Sequence, residues 1–270
     1  MVGLASFLFA QTASATLIWT GNPSDGTSVF KLLNLEDSSG NATGNPSPNG
    51  SSITVITDPT YGPEFQFYKA AADLRAEAHG AAGFDPAIGS TYYIGWRFKV
   101  NSTVTDNAVF QWKAYGGTLQ QNYPLVLKFV NGSLQLHYFA PGVVDHLLWS
   151  QSESANQWNT AVLEIKVSEL NVTSGPGAGS ISFWWDGTQE NLGSEGTTYI
   201  GSTFDGTSVD PKWGIYGAVG TQVTDDVNSL AIGTAYSDVA PAPTPEPASL
   251  ATLFLGASVF LIRRRRKFHL

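Results

Sequence analysis

The sequence predicts an all-β protein, an antiparallel sandwich or jelly roll that forms a single domain. Short runs of alternating apolar and polar residues recur through the body of the chain, and no long run shows the 3.6-residue period of a helix. Turn-forming residues separate these runs, since the 270 residues include 28 Gly and 14 Pro. With 42% hydrophobic residues, the chain can bury a core between two sheets.

Seven alternating runs predict strands, and two dipeptides predict tight hairpins. Asn131-Gly132 and Asp186-Gly187 are pairs that two-residue hairpin turns favour. Residues 67–79 are rich in Ala and fit either a helix or a strand. The predicted strands cover 92–100, 109–115, 123–130, 133–140, 159–168, 180–187 and 212–219.

The strand 109–115 is expected to have one apolar and one polar face, because side chains alternate along a strand. The predicted core face carries Phe110, Trp112 and Ala114. The opposite face carries Val109, Gln111, Lys113 and Tyr115. An amide and a cation two residues apart indicate either a solvated face or a binding surface.

The charge balance excludes a general nucleic-acid-binding protein, which needs a basic surface. The formal net charge is −8, and five of the 14 Lys and Arg lie together at 263–267. Without residues 241–270, 9 Lys and Arg face 21 Asp and Glu, a net charge of −12. An anionic substrate would therefore need a locally basic cleft. The chain has no Cys, which excludes disulfides and thiolate metal sites.

Residues 1–15 are predicted to be a signal peptide. An apolar stretch, Val2–Ala10, precedes the small residues Ala13-Ser14-Ala15, which fit a cleavage site. The alternative is a buried first strand. A signal peptide would place the protein in the secreted or cell-surface class.

The C-terminal residues 241–270 combine a Pro-rich spacer, an apolar run at 248–262 and an Arg cluster. As a helix, the apolar run would span roughly 22 Å, less than the ~30 Å hydrocarbon core of a bilayer. Pro245-Glu246-Pro247, followed by this run and the Arg cluster, resembles the PEP-CTERM sorting signal. The resemblance implies a Gram-negative bacterial protein with a transient membrane segment that exosortase-type machinery removes. The alternative is a retained membrane anchor.

Three stretches place polar groups on alternate positions, and side by side they would line a groove. They contribute Arg75, Glu77 and His79; Gln111 and Lys113; and Lys212, Gly214 and Tyr216. Each has an ordinary alternative. Arg75 and Glu77 fit a cross-face ion pair, His79 a loop histidine and Tyr216 a packing residue.

The same residues resemble the three-motif pattern of jelly-roll polysaccharide lyases. Arg75-x-Glu77, Gln111-Trp112-Lys113 and Lys212-Trp213-Gly214-Ile215-Tyr216 are similar to motifs of the family 7 alginate lyases, the heparin lyase I type and the glucuronan lyases of family 20. The resemblance implies a concanavalin A-like jelly roll over residues 16–240. Lys113 stands where relatives often have His, and this departure favours the glucuronan-lyase-like branch.

The resemblance implies β-elimination on a 4-linked polyuronate. The carboxylate on C5 must be neutralised before the C5 proton can leave. Gln111 can hydrogen-bond this carboxylate, and Arg75 or Lys113 can offset its charge. Tyr216 is the predicted acid and a candidate base, and His79 is the second candidate base. Lys212, Glu77, Tyr115 and Tyr123 are predicted substrate-binding residues, with Trp213 assigned either to sugar stacking or to the core.

Other functions remain open at this level. A non-catalytic, lectin-like carbohydrate-binding domain on the cell surface needs only aromatics and hydrogen-bonding groups. A glycoside hydrolase needs two carboxylates at a defined separation, and no predicted strand carries such a pair. A purely structural surface protein is the last alternative.

A structural Ca²⁺ ion is a further expectation, because jelly-roll lyases often carry one. Glu36 and Asp238, near the first and last strands, are candidate oxygen ligands, although solvated loop carboxylates explain them equally well. The expected partner is an anionic polysaccharide, and we expect a monomer.

Overall fold

The structure, a computed structural model, describes residues 15–242 and consists almost entirely of antiparallel strands in two sheets. The predicted all-β jelly roll is therefore confirmed. The predicted signal peptide and sorting signal lie almost wholly outside the described residues. No helix within residues 15–242 is long and apolar enough to cross a membrane.

Seventeen strands are found between residues 15 and 242. They are β1 (Leu17–Gly21), β2 (Phe30–Asp37), β3 (Ala42–Thr43), β4 (Ser52–Asp58), β5 (Gly62–Lys69), β6 (Asp73–Ala81), β7 (Thr91–Val100), β8 (Asn107–Tyr115), β9 (Leu125–Val130), β10 (Ser133–Ala140), β11 (Val144–Ser152), β12 (Asn159–Lys166), β13 (Gly179–Trp185), β14 (Thr188–Gln189), β15 (Tyr199–Gly201), β16 (Ser208–Gly217) and β17 (Val223–Gly233). A 3₁₀ segment covers Pro23–Val29, and one short helix, α1, covers Tyr236–Val239.

The two sheets have nine and eight strands. The nine-stranded sheet runs β14-β13-β12-β7-β17-β5-β4, with β1 paired to β17 and β15 paired to β13. The eight-stranded sheet runs β11-β10-β9-β8-β16-β6-β2-β3. The turns at Asn131-Gly132 and Asp186-Gly187 have positive φ at both residues, as a two-residue hairpin turn of this kind requires.

Large aromatic side chains from both sheets form the core. Trp96 of the nine-stranded sheet stacks on Phe110 of the eight-stranded sheet, with ring centroids 4.7 Å apart. Trp112 and Trp213 are fully buried in the same cluster, so Trp213 belongs to the core and not to a sugar-stacking surface. The strand at 109–115 thus turns Phe110, Trp112 and Ala114 inward, as predicted.

One assignment in strand β8 is wrong. Val109 was expected on the polar face with Gln111, but it lies in the core beside Phe110. The pairing of β8 with β9 shifts between Ala108 and Phe110, where a β-bulge adds one residue. A bulge reverses the alternation at its position, so Ala108 takes the outward place that Val109 was predicted to fill.

The Ala-rich stretch 67–79 forms the end of β5, a turn and most of β6. Lys69 stabilises this turn from inside. Its buried ammonium lies 3.0–3.3 Å from the carbonyl oxygens of Ala70, Asp73, Ala218 and Thr221, which share its three N–H donors. The turn before β6 is thereby connected to the turn after β16.

The C-terminal end of the described chain lies on the outer face of the nine-stranded sheet. Val239 of α1 packs with Val162 and Ala231 there. Farther along, the guanidinium of Arg97 donates to the carbonyl of Ala242. The chain therefore leaves the fold on the face that points away from the eight-stranded sheet.

A buried carboxyl on β17 should make the protein less stable as the pH rises. Asp225 pairs in register with the core residues Phe67 and Val100, and within residues 15–242 neither of its oxygens has a hydrogen-bond partner. Burial raises the pKa of Asp225 well above its ordinary value, and the charges of Asp226 and Glu64 add to this. The folded state therefore keeps a proton that the unfolded chain releases above about pH 3.9.

We expect Asp225→Asn to raise the free energy of unfolding near pH 7, by about 1.4 kcal/mol for each unit by which folding raises the carboxyl pKa, because the amide takes up no proton on folding. Near pH 4 the difference should be smaller, because about half of the unfolded chains then carry the proton as well. Urea unfolding between pH 4 and pH 8 measures this, with exposed Asp25→Asn as the control. Parallel pH profiles for wild type and Asp225→Asn would contradict the prediction.

Candidate active site

The three predicted stretches lie side by side, because β16 sits between β6 and β8 in the eight-stranded sheet. Lys212 is in register with Gln111 on one side and with His79 on the other. Tyr216 is in register with Arg75. Their polar side chains occupy the face of the eight-stranded sheet that points away from the core, called the groove face below. The predicted juxtaposition of the three stretches is confirmed.

Glu77 is the hub of the groove face. Its carboxylate accepts from Gln111 Nε2 at 2.5 Å and from Lys212 Nζ at 2.6 Å. Arg75 Nη1 lies 3.3 Å from the same carboxylate. The side chains of Glu77 and Lys212 are 2% and 1% exposed, so this ion pair is shielded from solvent. Glu77 thus holds three other predicted site residues in place.

Arg75 connects this hub to Tyr216. Its guanidinium carbon lies 4.3 Å from the centre of the Tyr216 ring, a cation–π contact. Arg75 Nε also lies 2.8 Å from Glu36 Oε2. Two carboxylates, Glu36 and Glu77, therefore compensate the charge of Arg75. Tyr216 is thus held beside Arg75, and it remains partly exposed.

Sequence reasoning missed Asn34 as part of this network. With its amide turned so that donors face acceptors, the oxygen of Asn34 lies 3.2 Å from both Arg75 Nη1 and Lys212 Nζ. Its nitrogen then lies 3.1 Å from Glu36 Oε1. A signal existed, since Asn34 and Glu36 alternate with Leu33 and Leu35 along β2, as polar residues on one face of a strand do.

Lys113 differs from the other groove cations. It donates to the amide oxygen of Asn122, and among the residues that the structure describes no carboxylate lies within 4 Å of its ammonium. Burial, followed by the positive charges of Lys212 and Arg75, lowers the pKa of Lys113 to about 8, against a smaller opposing effect of Glu77. Lys113 is thus a partly desolvated cation without a counter-ion.

Two contacts fix the imidazole of His79, the second candidate base. Its Nε2 lies 3.2 Å from Asp210 Oδ2, and Asp210 also accepts from Lys31 at 2.9 Å. The His79 ring stacks on Tyr115, with centroids 4.5 Å apart. Both contacts fix the imidazole against the sheet and leave only Nδ1 for other chemistry.

The two predicted sugar-contacting tyrosines differ in their surroundings. Tyr115 has a buried hydroxyl with no hydrogen-bond partner among the described residues, and burial raises its pKa strongly. Tyr123 stands edge-on to Phe139 at 4.8 Å, and burial raises its pKa as well. Tyr123 lines a pocket of about 290 Å³ together with Gln111 and Tyr216. The pocket makes Tyr123 the better placed of the two.

The two predicted calcium ligands, Glu36 and Asp238, lie on different elements and contact different groups. Glu36 lies on β2 and pairs with Arg75, whereas Asp238 lies in α1 and accepts from the backbone of Thr234 and Ala235. Within residues 15–242, no group of three or more His, Asp or Glu is arranged to hold a metal ion. Each carboxylate already has a partner in the protein.

A second histidine lies on the groove face and was not predicted. His137 on β10 is in register with Val126, which is in register with Gln111. Its Nδ1 lies 2.7 Å from Asp145 Oδ1 and its Nε2 lies 2.9 Å from Gln135 Oε1. Both ring nitrogens are engaged, so His137 fixes the wall of the groove.

The fold and this polar face define a jelly-roll protein of the carbohydrate-active kind. The family model described as polysaccharide lyase matches residues 28–229, a stretch that includes every groove residue named above. The chain belongs to the polysaccharide lyase family, and it is an enzyme of that class. A comparison with curated proteins finds no match.

Solved structures share the fold at low sequence identity. Family 7 alginate lyase A1-II′ in complex with the product GGG is 12% identical, with a TM-score of 0.52, over 78% of this chain and 99% of that chain. Its complex with the substrate GGMG is 12% identical, with a TM-score of 0.50, over 74% and 90%. The binding domain of a botulinum neurotoxin is 10% identical, with a TM-score of 0.44, over 76% of this chain and 47% of that chain. This chain therefore spans about half the length of the toxin chain.

Proposed function

We propose that this lyase cleaves a 4-linked, glucuronan-like polyuronate by β-elimination and leaves a 4,5-unsaturated uronate at the new end. One observation carries the proposal: Lys113 is an uncompensated cation on a face where Glu77 and Glu36 already balance Arg75 and Lys212. An entering carboxylate would supply the missing counter-ion. The same contact would offset the charge that must be neutralised for elimination.

The substrate carboxylate would lie between Lys113 and Gln111. Gln111 has a second amide N–H besides the one that it donates to Glu77, so it can bind a carboxylate oxygen as well. Lys212 is enclosed by Glu77 and Asn34, and its role is to orient Glu77 and, through it, Gln111. With the carboxylate neutralised, negative charge can spread from C5 when its proton leaves.

Tyr216 would move both protons. As the phenolate, it takes the proton from C5; the C5 electrons form the C4=C5 double bond, and the bond from C4 to O4 breaks. The phenol then gives its proton to O4 of the leaving chain. Arg75, stacked on the ring, holds it in place beside the substrate. No proton is left over, so Tyr216 is ready for the next cycle.

This assignment favours glucuronate or mannuronate over their C5 epimers. In 4-linked glucuronate, the C5 proton and O4 lie on the same side of the bond that becomes double, and a single group can serve both. The C5 epimers would need a second group as the base, on the opposite side of that bond from Tyr216. The alginate lyase neighbours make a mannuronate-containing polymer the second substrate to test.

We also propose that the protein is exported and acts outside the inner membrane of a Gram-negative bacterium. The support comes from the sequence alone: the signal-like residues 1–15 and the PEP-CTERM-like residues 241–270. Exosortase-type processing machinery would then be its second partner. Mass spectrometry of the protein from the outer surface of the native cells tests this, because processing removes the Arg cluster at 263–266.

Absorbance near 235 nm tests the proposed activity directly. The purified protein is incubated in turn with glucuronan, polymannuronate, polyguluronate and heparin. A rise reports the unsaturated bond that elimination creates, and we expect it with glucuronan first. No rise with any polymer, together with retention on a polysaccharide column, would instead support the lectin-like function.

Lys113 should act through its charge, and the pH dependence of kcat/KM should reveal this. If the ammonium binds the substrate carboxylate, activity is lost as the pH rises through the Lys113 pKa of about 8. Lys113→Arg keeps its positive charge at all accessible pH values, so the loss of activity at alkaline pH should begin at a higher pH than in wild type. Its kcat/KM at pH 7 should stay within about tenfold of the wild-type value. Lys113→Gln should lose about a hundredfold or more.

The opposite result is equally clear. If Lys113 is a proton acceptor, Lys113→Arg should be as inactive as Lys113→Gln at every pH, because a guanidinium cannot accept a proton. Initial rates at 235 nm between pH 6 and pH 10 distinguish the two roles.

A further inference from the structure

The pocket beside Tyr216 has mostly apolar walls, and an unsubstituted polyuronate carries no apolar group to place against them. It opens where β8 begins and β16 ends, and its volume is about 290 Å³. The side chains of Ala108, Val126 and Phe139 form a buried apolar cluster against which Tyr123 and Tyr216 pack. Its apolar lining consists of Leu74, Ala108, Val126, Phe139 and Val219, with the rings of Tyr123 and Tyr216.

The charged and amide groups at the rim of this pocket already have partners. Lys128 lies 4.0 Å from Asp106, so the two charges compensate each other. Gln111 donates one amide N–H to Glu77, and its other N–H is assigned to the substrate carboxylate beside Lys113. A carboxylate placed in this pocket would lose hydration and would have to compete with Asp106 for Lys128, which is unfavourable. The pocket therefore suits an uncharged, partly apolar group attached to the sugar.

We propose that this pocket binds an O-acetyl group on a hydroxyl of the substrate, so that the enzyme prefers an acetylated polyuronate. The inference rests on the proposed function and adds the substitution pattern of the polymer. A methyl ester of the uronate is a poorer occupant, because esterification removes the charge that Lys113 binds. An acetyl ester keeps that charge and places a methyl group against Val126 and Phe139.

Two preparations of one polymer test the proposal. Polyglucuronate is chemically O-acetylated to a known degree, and the untreated polymer is the reference. We expect wild-type kcat/KM to be at least about fourfold higher on the acetylated polymer, the factor that burial of one methyl group gives.

Val126→Thr keeps the shape of the pocket floor but puts a hydroxyl there, so the ratio of the two kcat/KM values should fall toward one. Val162→Thr, a buried position of the nine-stranded sheet, is the matched control and should leave the ratio unchanged. Binding of oligosaccharides from both polymers is measured by calorimetry in the Tyr216→Phe background.

The outcomes separate this inference from the proposed activity. A wild-type enzyme that cleaves both polymers equally, or prefers the untreated one, overturns the acetyl pocket while the lyase proposal stands. If neither polymer is cleaved, the proposed activity is wrong, and the calorimetric affinities alone test whether the pocket binds the acetyl group. Tighter binding of the acetylated oligosaccharide that Val126→Thr abolishes supports the pocket, and equal affinities overturn it.

Discussion

Replacing Glu77 by Ala should lower the free energy of unfolding by about 3–5 kcal/mol, the cost of breaking a buried ion pair by removing one partner. Lys212 would then be a buried ammonium without its carboxylate, and Gln111 would lose its acceptor. Urea unfolding at pH 7 measures the change. Exposed Glu195→Ala is the control and should stay within about 0.5 kcal/mol of wild type.

A double variant distinguishes the loss of the Glu77–Lys212 ion pair from general destabilisation of the fold. Glu77→Ala with Lys212→Met removes both charges, so it should be more stable than Glu77→Ala alone. A loss below about 1 kcal/mol for Glu77→Ala would contradict the role of Glu77 as the hub of the groove face.

Replacing Tyr216 by Phe should lower kcat by about 10³-fold to 10⁴-fold, because the hydroxyl is proposed to carry both proton transfers. The ring and its contact with the Arg75 guanidinium remain, so stability should change little. Initial rates at 235 nm on glucuronan measure the effect. Tyr236→Phe, in α1 on the nine-stranded sheet, is the matched control and should keep wild-type rates.

Residual activity within tenfold of wild type would move the proton transfers to another group. Lys113 would be the first candidate, since burial holds its pKa near 8. The pH profiles of the Lys113 variants would then decide.

The sheet faces could be predicted from the sequence because strand alternation is a local property. Arg75, Glu77 and His79 alternate within β6, and Gln111 and Lys113 alternate within β8. Alternation predicts that these side chains share a face once their strands pair. The β-bulge that turns Val109 inward could not be predicted this way, because it depends on how β8 pairs with β9.

The partners of the site residues also depend on strand order, which the sequence does not state. Glu36 was predicted as a calcium ligand, yet β2 lies beside β6 and brings Glu36 to Arg75. Asp210 reaches His79 for the same reason, since β16 pairs with β6. The lowered pKa of Lys113 follows from burial and neighbouring cations, so it too could be found only from the three-dimensional structure.

The position of Ala242 has a practical consequence for handling this enzyme. The chain reaches Ala242 on the outer face of the nine-stranded sheet, held there by Arg97, while the groove face belongs to the other sheet. A bead, electrode or fused carrier attached through the residues beyond Ala242 would hold the protein on the side of the nine-stranded sheet, away from the groove face. Long polymer chains could then enter from the free solution side, and an immobilised preparation should keep its access to high-molecular-weight substrate.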